Sequence, residues 1–400
     1  MQFKSTEEIP LSADTLKQVI GQEEAVELVK IAARQRRFVL LIGDPGTGKS
    51  MLGKALAENM KAEAPQISLL FHDIQDRNRV AVKSFTLNEA EKEIKRRTQI
   101  TKDKNRINSL IFGSVLFLIA IATAVFSFTH NQPTIVFWGL LAAYGMVLLR
   151  KKVFPDDQSL VPRLLFPPKK DKVPFIDATG FHEGGLLGDV RHDPYQSGGS
   201  ESLPYQLVEA GAIHRANQGV LYIDEVSTLS LESQLSLLTA IQNKQLPITG
   251  RSAGSSGTMV QSDPVVCDFV LVIAGHKQDL EGLHPALRSR MNGYGYEILT
   301  RSSMPDTAKN REAIVYLIAQ EVVNDGKIPH FTYEAVQEMI QAAGEMCASD
   351  HELTCRFRDL GGLVRAAGDQ AVINDHPLVE VADVLSAKKT HMPIEKQAYG

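Results

Sequence analysis

The sequence predicts an α/β fold: a parallel sheet with helices against it, interrupted by a two-helix apolar hairpin and followed by a helical C-terminal part. Three observations carry this. The apolar run at residues 37–42 enters a glycine-rich turn and then a helix-period pattern. A second apolar run, residues 219–223, ends in the adjacent acids Asp224 and Glu225. Between them lie residues 109–129, 21 positions without a charge, and a further 17 at residues 133–149.

At 400 residues the chain has room for two or three domains. Hydrophobic residues at 44% and charged residues at 22% exclude wholesale disorder and fibrous repeats. A formal charge of −4 supplies no chain-wide basic field, so nucleic acid is not expected as the main partner. Cys267, Cys347 and Cys355 are too few for a disulfide framework and point to a reducing compartment. The N-terminal residues are charged and lack the apolar core of a signal peptide.

Residues 1–84 form the first part of the α/β domain. Gly43-Asp44-Pro45-Gly46-Thr47-Gly48-Lys49-Ser50 is a full match to GxxxxGK[ST], with a strand pattern before it and Met51, Leu52, Ala55 and Leu56 at helical spacing after it. Glycines let successive N–H groups curl around phosphate oxygens, and the helix N-terminus adds a favourable dipole. Lys49 is placed for the β/γ-phosphates of ATP, and the Ser50 hydroxyl for Mg²⁺. Residues 67–71 read as the next strand, followed by a short excursion.

Residues 85–174 form a membrane insertion. At 1.5 Å per residue, residues 109–129 span about 31 Å of helix, against a hydrocarbon core of about 30 Å. Lys92, Lys95, Arg96, Arg97, Lys102, Lys104 and Arg106 precede the first run, and Arg150, Lys151 and Lys152 follow the second. No Lys or Arg separates the two runs, so both ends face the cytoplasm by the positive-inside rule and the hairpin contacts membrane lipid. Five prolines between 155 and 174 make a stiff return linker.

Residues 175–304 complete the sheet. Asp224 joins Ser50 at the metal, and Glu225 polarises the attacking water. An apolar strand follows at 265–274. Residues 305–400 read as a helical lid, with Asp306 as N-cap and apolar spacing at Ile314, Leu317, Ile318 and later at Val336, Met339, Ile340. The glycine- and serine-rich stretch 250–263 reads as a flexible pore-facing loop, not a nucleophile site.

Together these motifs resemble an AAA+ ATPase, with Val19-Ile20-Gly21-Gln22 similar to that family's adenine-side motif. Four strings bring the resemblance closer, to the archaeal-type, membrane-anchored Lon proteases. They are Asp189-Val190-Arg191-His192-Asp193-Pro194-Tyr195-Gln196-Ser197-Gly198-Gly199, Ala212-Ile213-His214-Arg215-Ala216, His284-Pro285-Ala286-Leu287-Arg288-Ser289-Arg290 and Arg358-Asp359-Leu360-Gly361-Gly362. An insertion between the phosphate loop and the acidic strand marks that family; here 175 positions (224 − 49) separate Lys49 from Asp224.

The resemblance implies Arg290 as an arginine finger, with Arg288 the rival candidate, and Arg358 as the sensor-2 arginine. It implies Leu186-Leu187-Gly188 as a pore loop gripping substrate, against the alternative of core leucines. The sensor-1 position holds His276 where the family carries Asn. It further implies a hexameric ring acting on unfolded or damaged protein. The family's Ser-Lys peptidase domain would begin about where Gln397-Ala398-Tyr399-Gly400 ends this sequence, so the reading is the motor portion without its protease. Two rivals stay open: an AAA+ remodelling or helicase-like motor, and a nucleotide-dependent membrane scaffold with impaired hydrolysis.

Overall fold

In the computed structural model the described residues are 3–12, 14–73, 75, 76, 78–130, 134–153, 161–167, 172–191, 203–251, 259–347 and 349–391. Five parallel strands form the central sheet, in the order Gly295–Leu299, Phe38–Ile42, Val270–Gly275, Val220–Asp224, Phe175–Asp177. Leu41 lies opposite Ala274, and Ala274 opposite Asp224.

Side chains alternate faces along a strand, and both faces here are covered, so the strands read as near-continuous apolar runs. Leu40, Ile42, Leu221, Ile223, Leu271 and Ile273 pack under helices Leu231–Asn243 and Pro285–Tyr294. Val39, Leu41, Val220, Tyr222, Val270 and Val272 pack under helices Glu23–Gln35 and Lys49–Asn59. Because the strands are parallel, the segments beginning at Gly43, Glu225, His276 and Thr300 all leave the sheet at one edge. That edge is where open α/β sheets bind ligands.

Three sequence expectations need correcting. Residues 67–71 do form a strand, Gln66–His72, but it joins a second sheet. The "excursion" after it is the antiparallel partner Arg79–Thr86, which itself pairs in parallel with Met259–Ser262. The run 265–274 divides: Val265–Val266 pairs with Gln245–Leu246, and only Val270–Gly275 enters the central sheet. Between them Asp268 is pinned to its neighbours, its N–H donating to Asn217 Oδ1 and its carbonyl accepting from Gln218 N–H. The third concerns the C-terminal helices. Thr307, not Asp306, caps helix Ala308–Asp325, its hydroxyl accepting from Asn310 N–H, because the Asp306 carboxylate is engaged by Arg311.

Arg79–Thr86 runs directly into helix Leu87–His130, whose 44 residues extend about 66 Å at 1.5 Å per residue. The basic approach and the apolar run are thus one helix, long and apolar enough over Leu87–Thr129 to cross a membrane. A second helix, Thr134–Val153, carries the shorter apolar stretch Val136–Leu148. The two touch closely: a Cβ on Gly139 would lie 2.4 Å from Thr123 Cγ2. Their other sides are bare, with Phe117, Phe128, Trp138, Leu140 and Leu148 exposed. The connection 131–133 and much of the proline-rich return (154–160, 168–171) lie outside the described residues.

Helices Ala308–Asp325, Tyr333–Glu345, Phe357–Ile373 and Val381–Thr390 share one core, built on Ile318, Val336, Met339, Leu360 and Val364. Ile9 and Ile20 belong to this core, and Thr6 N–H donates to Phe331 O, so the N-terminal segment packs with the C-terminal helices.

Candidate active site

The phosphate loop is shaped by backbone demands. Gly46 and Gly48 take φ of +75 and +86, a region that costs a side-chain-bearing residue about 1 kcal/mol or more. Gly46 is needed twice, because a Cβ there would lie 2.6 Å from Arg358 Cβ. Gly43 is crowded likewise, its Cβ position falling 1.9 Å from Thr300 Oγ1. Asp44 and Pro45 sit exposed at the bend. Thr47 closes the loop from inside, donating to Asp44 O at 2.9 Å and meeting the Thr300 hydroxyl at 2.8 Å.

Lys49 is buried at the loop's centre, and its ammonium donates to the carbonyls of Gly43 and Asp44, both at 2.8 Å. Burial lowers its pKa, while Asp224 and Asp44 pull the other way and help hold the charge. The next residue, Ser50, faces the acidic strand end across Tyr222, whose hydroxyl lies 3.2 Å from Ser50 Oγ and 3.3 Å from Asp224 Oδ2. Asp224 is fixed from behind, its N–H donating to Thr179 Oγ1 and its Oδ1 accepting from Glu225 N–H at 3.0 Å.

Glu225 is exposed and holds φ 53, ψ 56, a left-handed conformation that is strained for glutamate. The Ala274 carbonyl, which accepts Glu225 N–H, keeps it there. From the neighbouring strand, half-buried His276 donates its N–H to Asp279 Oδ2 at 2.6 Å, and Ser227 donates to Asp279 Oδ1 at 2.8 Å. Burial would raise the Asp279 pKa, but these two donors, with His276 and Lys49 nearby, lower it on balance.

A cavity of about 310 Å³ lies beside the loop, between it and the C-terminal helices. Val19 and Ile20 line one wall, Gly46, Thr47 and Gly48 the floor, and Arg358 with Phe357 the far side. Gly21 adjoins it at φ +70, where a Cβ would lie 2.6 Å from Cys355 Sγ. Phe357 N–H donates to Gly46 O at 3.0 Å, docking the start of its helix on the phosphate loop.

The two candidate finger residues lie apart from this cluster. Arg288 is tied to Glu297 by two hydrogen bonds of 3.1 Å. Arg290 stacks on Tyr294, 4.0 Å from the ring centroid, and its buried Nε has no hydrogen-bond partner among the described residues. It lines a separate cavity with Arg37, Phe38 and Val270, at the opposite, amino-terminal end of the sheet strands.

Of the expected pore-loop residues, Leu186 needs correcting. Leu186 is fully buried in the central core, within helix Glu183–Leu187, so it presents nothing to a passing chain. Leu187 is partly buried against the same core, and Gly188 ends the helix at φ +94. Close backbone contact forces this: a Cβ on Gly211 would lie 2.3 Å from Gly188 N and 2.4 Å from Leu186 O. The string 189–199 is described only as far as Arg191. The stretch 250–263, expected to be a flexible loop, is instead at its described ends an antiparallel strand pair, Thr249–Arg251 with Met259–Ser262, and only residues 252–258 between them lie outside the described residues.

Sequence reasoning missed Tyr222, Thr300, Asp279 and the Arg365–Glu321 ion pair (2.6 Å) on the cavity wall. Only Tyr222 left a signal: two residues before Asp224, it had to share that side chain's face of the strand.

Residues 15–98 match the family described as magnesium chelatase, subunit ChlI, and residues 206–267 match the Sigma-54 interaction domain. The archaeal Lon protease of Thermococcus kodakarensis is 48% identical over 400 residues, covering 99% of this chain and 62% of that protein. A Lon protease homologue of Thermoplasma acidophilum is 35% identical and covered to 91% of its length, with 99% of this chain aligned. This chain belongs to the archaeal Lon family. It spans about 62% of the length of its T. kodakarensis relative, and 63% of the Archaeoglobus fulgidus one at 46% identity. A crystal structure of NtrX from Brucella abortus in complex with ATP aligns with 97% of this chain and 59% of its own at 12% identity, TM-score 0.42, too distant to argue from.

Proposed function

We propose that this chain is the ATP-hydrolysing motor portion of a membrane-held Lon-type protease, a hexameric ring that unfolds protein and threads it toward a peptidase domain. One observation carries the reading: Lys49, Ser50, Asp224, Glu225 and Arg358 meet at the carboxyl edge of a parallel sheet, in a chain related to archaeal Lon proteases along its whole length.

The residues fit a nucleotide with its cation. Gly48, where an added Cβ would meet nothing within 4 Å, leaves room for a phosphate oxygen beside backbone N–H groups, and Lys49 is a cation borrowed by two carbonyls that a phosphate can outbid. Ile20 and Gly21 flank the cavity that takes the adenine. Ser50 and Asp224 would hold Mg²⁺, which neutralises charge on the phosphates when bound. Glu225 orients water and accepts its proton as the oxygen attacks the γ-phosphorus and the bond to the leaving ADP oxygen breaks. His276 stands at the sensor position beside Asp279, and Arg358 brings the helical lid into register with the phosphates.

Arg290 serves as the finger toward a neighbouring subunit. Its distance from its own phosphate loop supports action in trans, and the Glu297 pairing of Arg288 argues against the rival. The helix Leu87–His130 and its partner Thr134–Val153 form the membrane hairpin, with the ATPase on the cytoplasmic side. The pore contact falls to loop residues other than Leu186.

Steady-state ATP hydrolysis with and without unfolded casein tests the proposal. Stimulation by casein supports the motor, stimulation by DNA the helicase-like rival, and absence of turnover the scaffold. Lys49→Ala should abolish nucleotide binding, whereas Glu225→Gln should bind ATP and not turn it over. Equal loss of affinity in both variants refutes the division of roles.

A further inference from the structure

The Tyr222 hydroxyl touches both side chains assigned to the metal ion, at 3.2 Å from Ser50 Oγ and 3.3 Å from Asp224 Oδ2. Its ring has little freedom. It is 1% exposed, packs against Phe175 at 5.8 Å between centroids, and is so close to the phosphate-loop helix that a Cβ on Gly53 would lie 2.6 Å from Cδ2. Only the oxygen reaches the site.

We propose that Tyr222 is a positioning residue for the divalent cation, setting the direction in which the Ser50 hydroxyl points. The proposal rests on reading Ser50 and Asp224 as the metal ligands. A phenol has one proton, and an ionised carboxylate only accepts. Tyr222 therefore donates to Asp224, and Ser50 donates its own proton to Tyr222. The resulting relay, Ser50 O–H to Tyr222 O–H to the Asp224 carboxylate, turns the serine proton toward the protein. The serine lone pairs are left for a cation, and one Asp224 oxygen is held by the strand that carries it. Phenylalanine at this position keeps the ring's packing and loses the relay. Ser50 then rotates freely, and Asp224 Oδ2 loses its donor.

The test uses Mn²⁺ as the probe, read by its electron paramagnetic resonance signal, with ATP and the full chain in a Glu225→Gln background that keeps ATP intact. Partners behind a metal's direct ligands are worth about 10- to 100-fold in affinity. Tyr222→Phe is expected to weaken Mn²⁺ in the ATP complex about tenfold, while ATP binding in EDTA stays within about twofold of the parent. The proposal is overturned if Mn²⁺ affinity is unchanged, or if ATP binding in EDTA weakens as much as Mn²⁺ binding. Asp224→Asn separates the two levels of failure. If it weakens Mn²⁺ and Tyr222→Phe does not, the positioning role alone falls. If neither does, the assignment of the metal ligands falls with it.

Discussion

His214 makes the stability of the α/β core sensitive to mild acid. The side chain is fully buried, its Nδ1 accepting from Gly211 N–H at 3.3 Å and its Nε2 meeting Leu246 O at 3.1 Å. A neutral ring with the proton on Nε2 satisfies both neighbours, and a second proton would displace the Gly211 N–H. Burial accordingly lowers the pKa from 6.5 to about 4. The folded value lies below the unfolded one, so the unfolded chain binds more protons between them and stability falls as pH drops below about 6.5. At 1.36 kcal/mol per unit, the full loss is about 3 kcal/mol below pH 4, and about 2 kcal/mol of it is already spent at pH 5. His214→Gln offers an acceptor and a donor in the same place without titrating. Urea unfolding at pH 7.5 and 5.0, followed by hydrogen exchange over residues 208–224, compares the two proteins where His214 packs. The native chain should lose about 2 kcal/mol more than the variant between these pH values. Parallel losses, within about 0.5 kcal/mol, refute the buried neutral histidine.

Two further predictions concern the membrane and the ring. Trp138 is the chain's single tryptophan and is 64% exposed on the second apolar helix, so in vesicles its emission should be blue and quenched by brominated acyl chains. Emission at the wavelength of hydrated tryptophan, unquenched by those lipids, rejects the hairpin. Arg290→Ala should preserve ATP binding and lose most turnover, a finger being worth on the order of 10³–10⁵ in rate. Mixing it with Glu225→Gln should restore activity at interfaces where an intact Glu225 meets an intact Arg290. No gain despite proven co-assembly turns attention to Arg288.

The parts legible in the sequence are those fixed by neighbours along the chain. The phosphate loop, the strand ending in Asp224 and Glu225, and the apolar helices each declare themselves within a short window. What stayed hidden depends on contacts between distant segments. Arg79–Thr86 meets Met259–Ser262 across some 180 positions, so its strand could be mistaken for an excursion. Leu186 looked available because nothing nearby shows that Gly211 presses against the turn beneath it. The phenol of Tyr222 sits in a run where any apolar residue would fit, and the approach of the Lys49–Asn59 helix gives its oxygen a second partner, Ser50, beyond Asp224 on its own strand.

The second sheet explains how so long an insertion coexists with an ordered nucleotide edge. The chain leaves the central domain after the Lys49–Asn59 helix and returns at the edge strand Phe175–Asp177. Departure and return are neighbours, since Ala62, Glu63 and Pro65 line the same cavity as Val173 and Pro174. Closing the excursion therefore needs no displacement of the strands on either side, and the entropic cost of its length grows only logarithmically. The insertion is nonetheless firmly held. Asp263 takes Arg79 Nε and Nη2 on one carboxylate oxygen and Val82 N–H on the other, while its own N–H donates to Val80 O. Seven residues beyond Asp263 the chain enters Val270–Gly275, the strand that delivers His276 to the nucleotide edge. The long apolar helix, through Arg79–Thr86 and Asp263, is thus joined by a short, hydrogen-bonded path to the strand that leads into His276, and not by a slack tether.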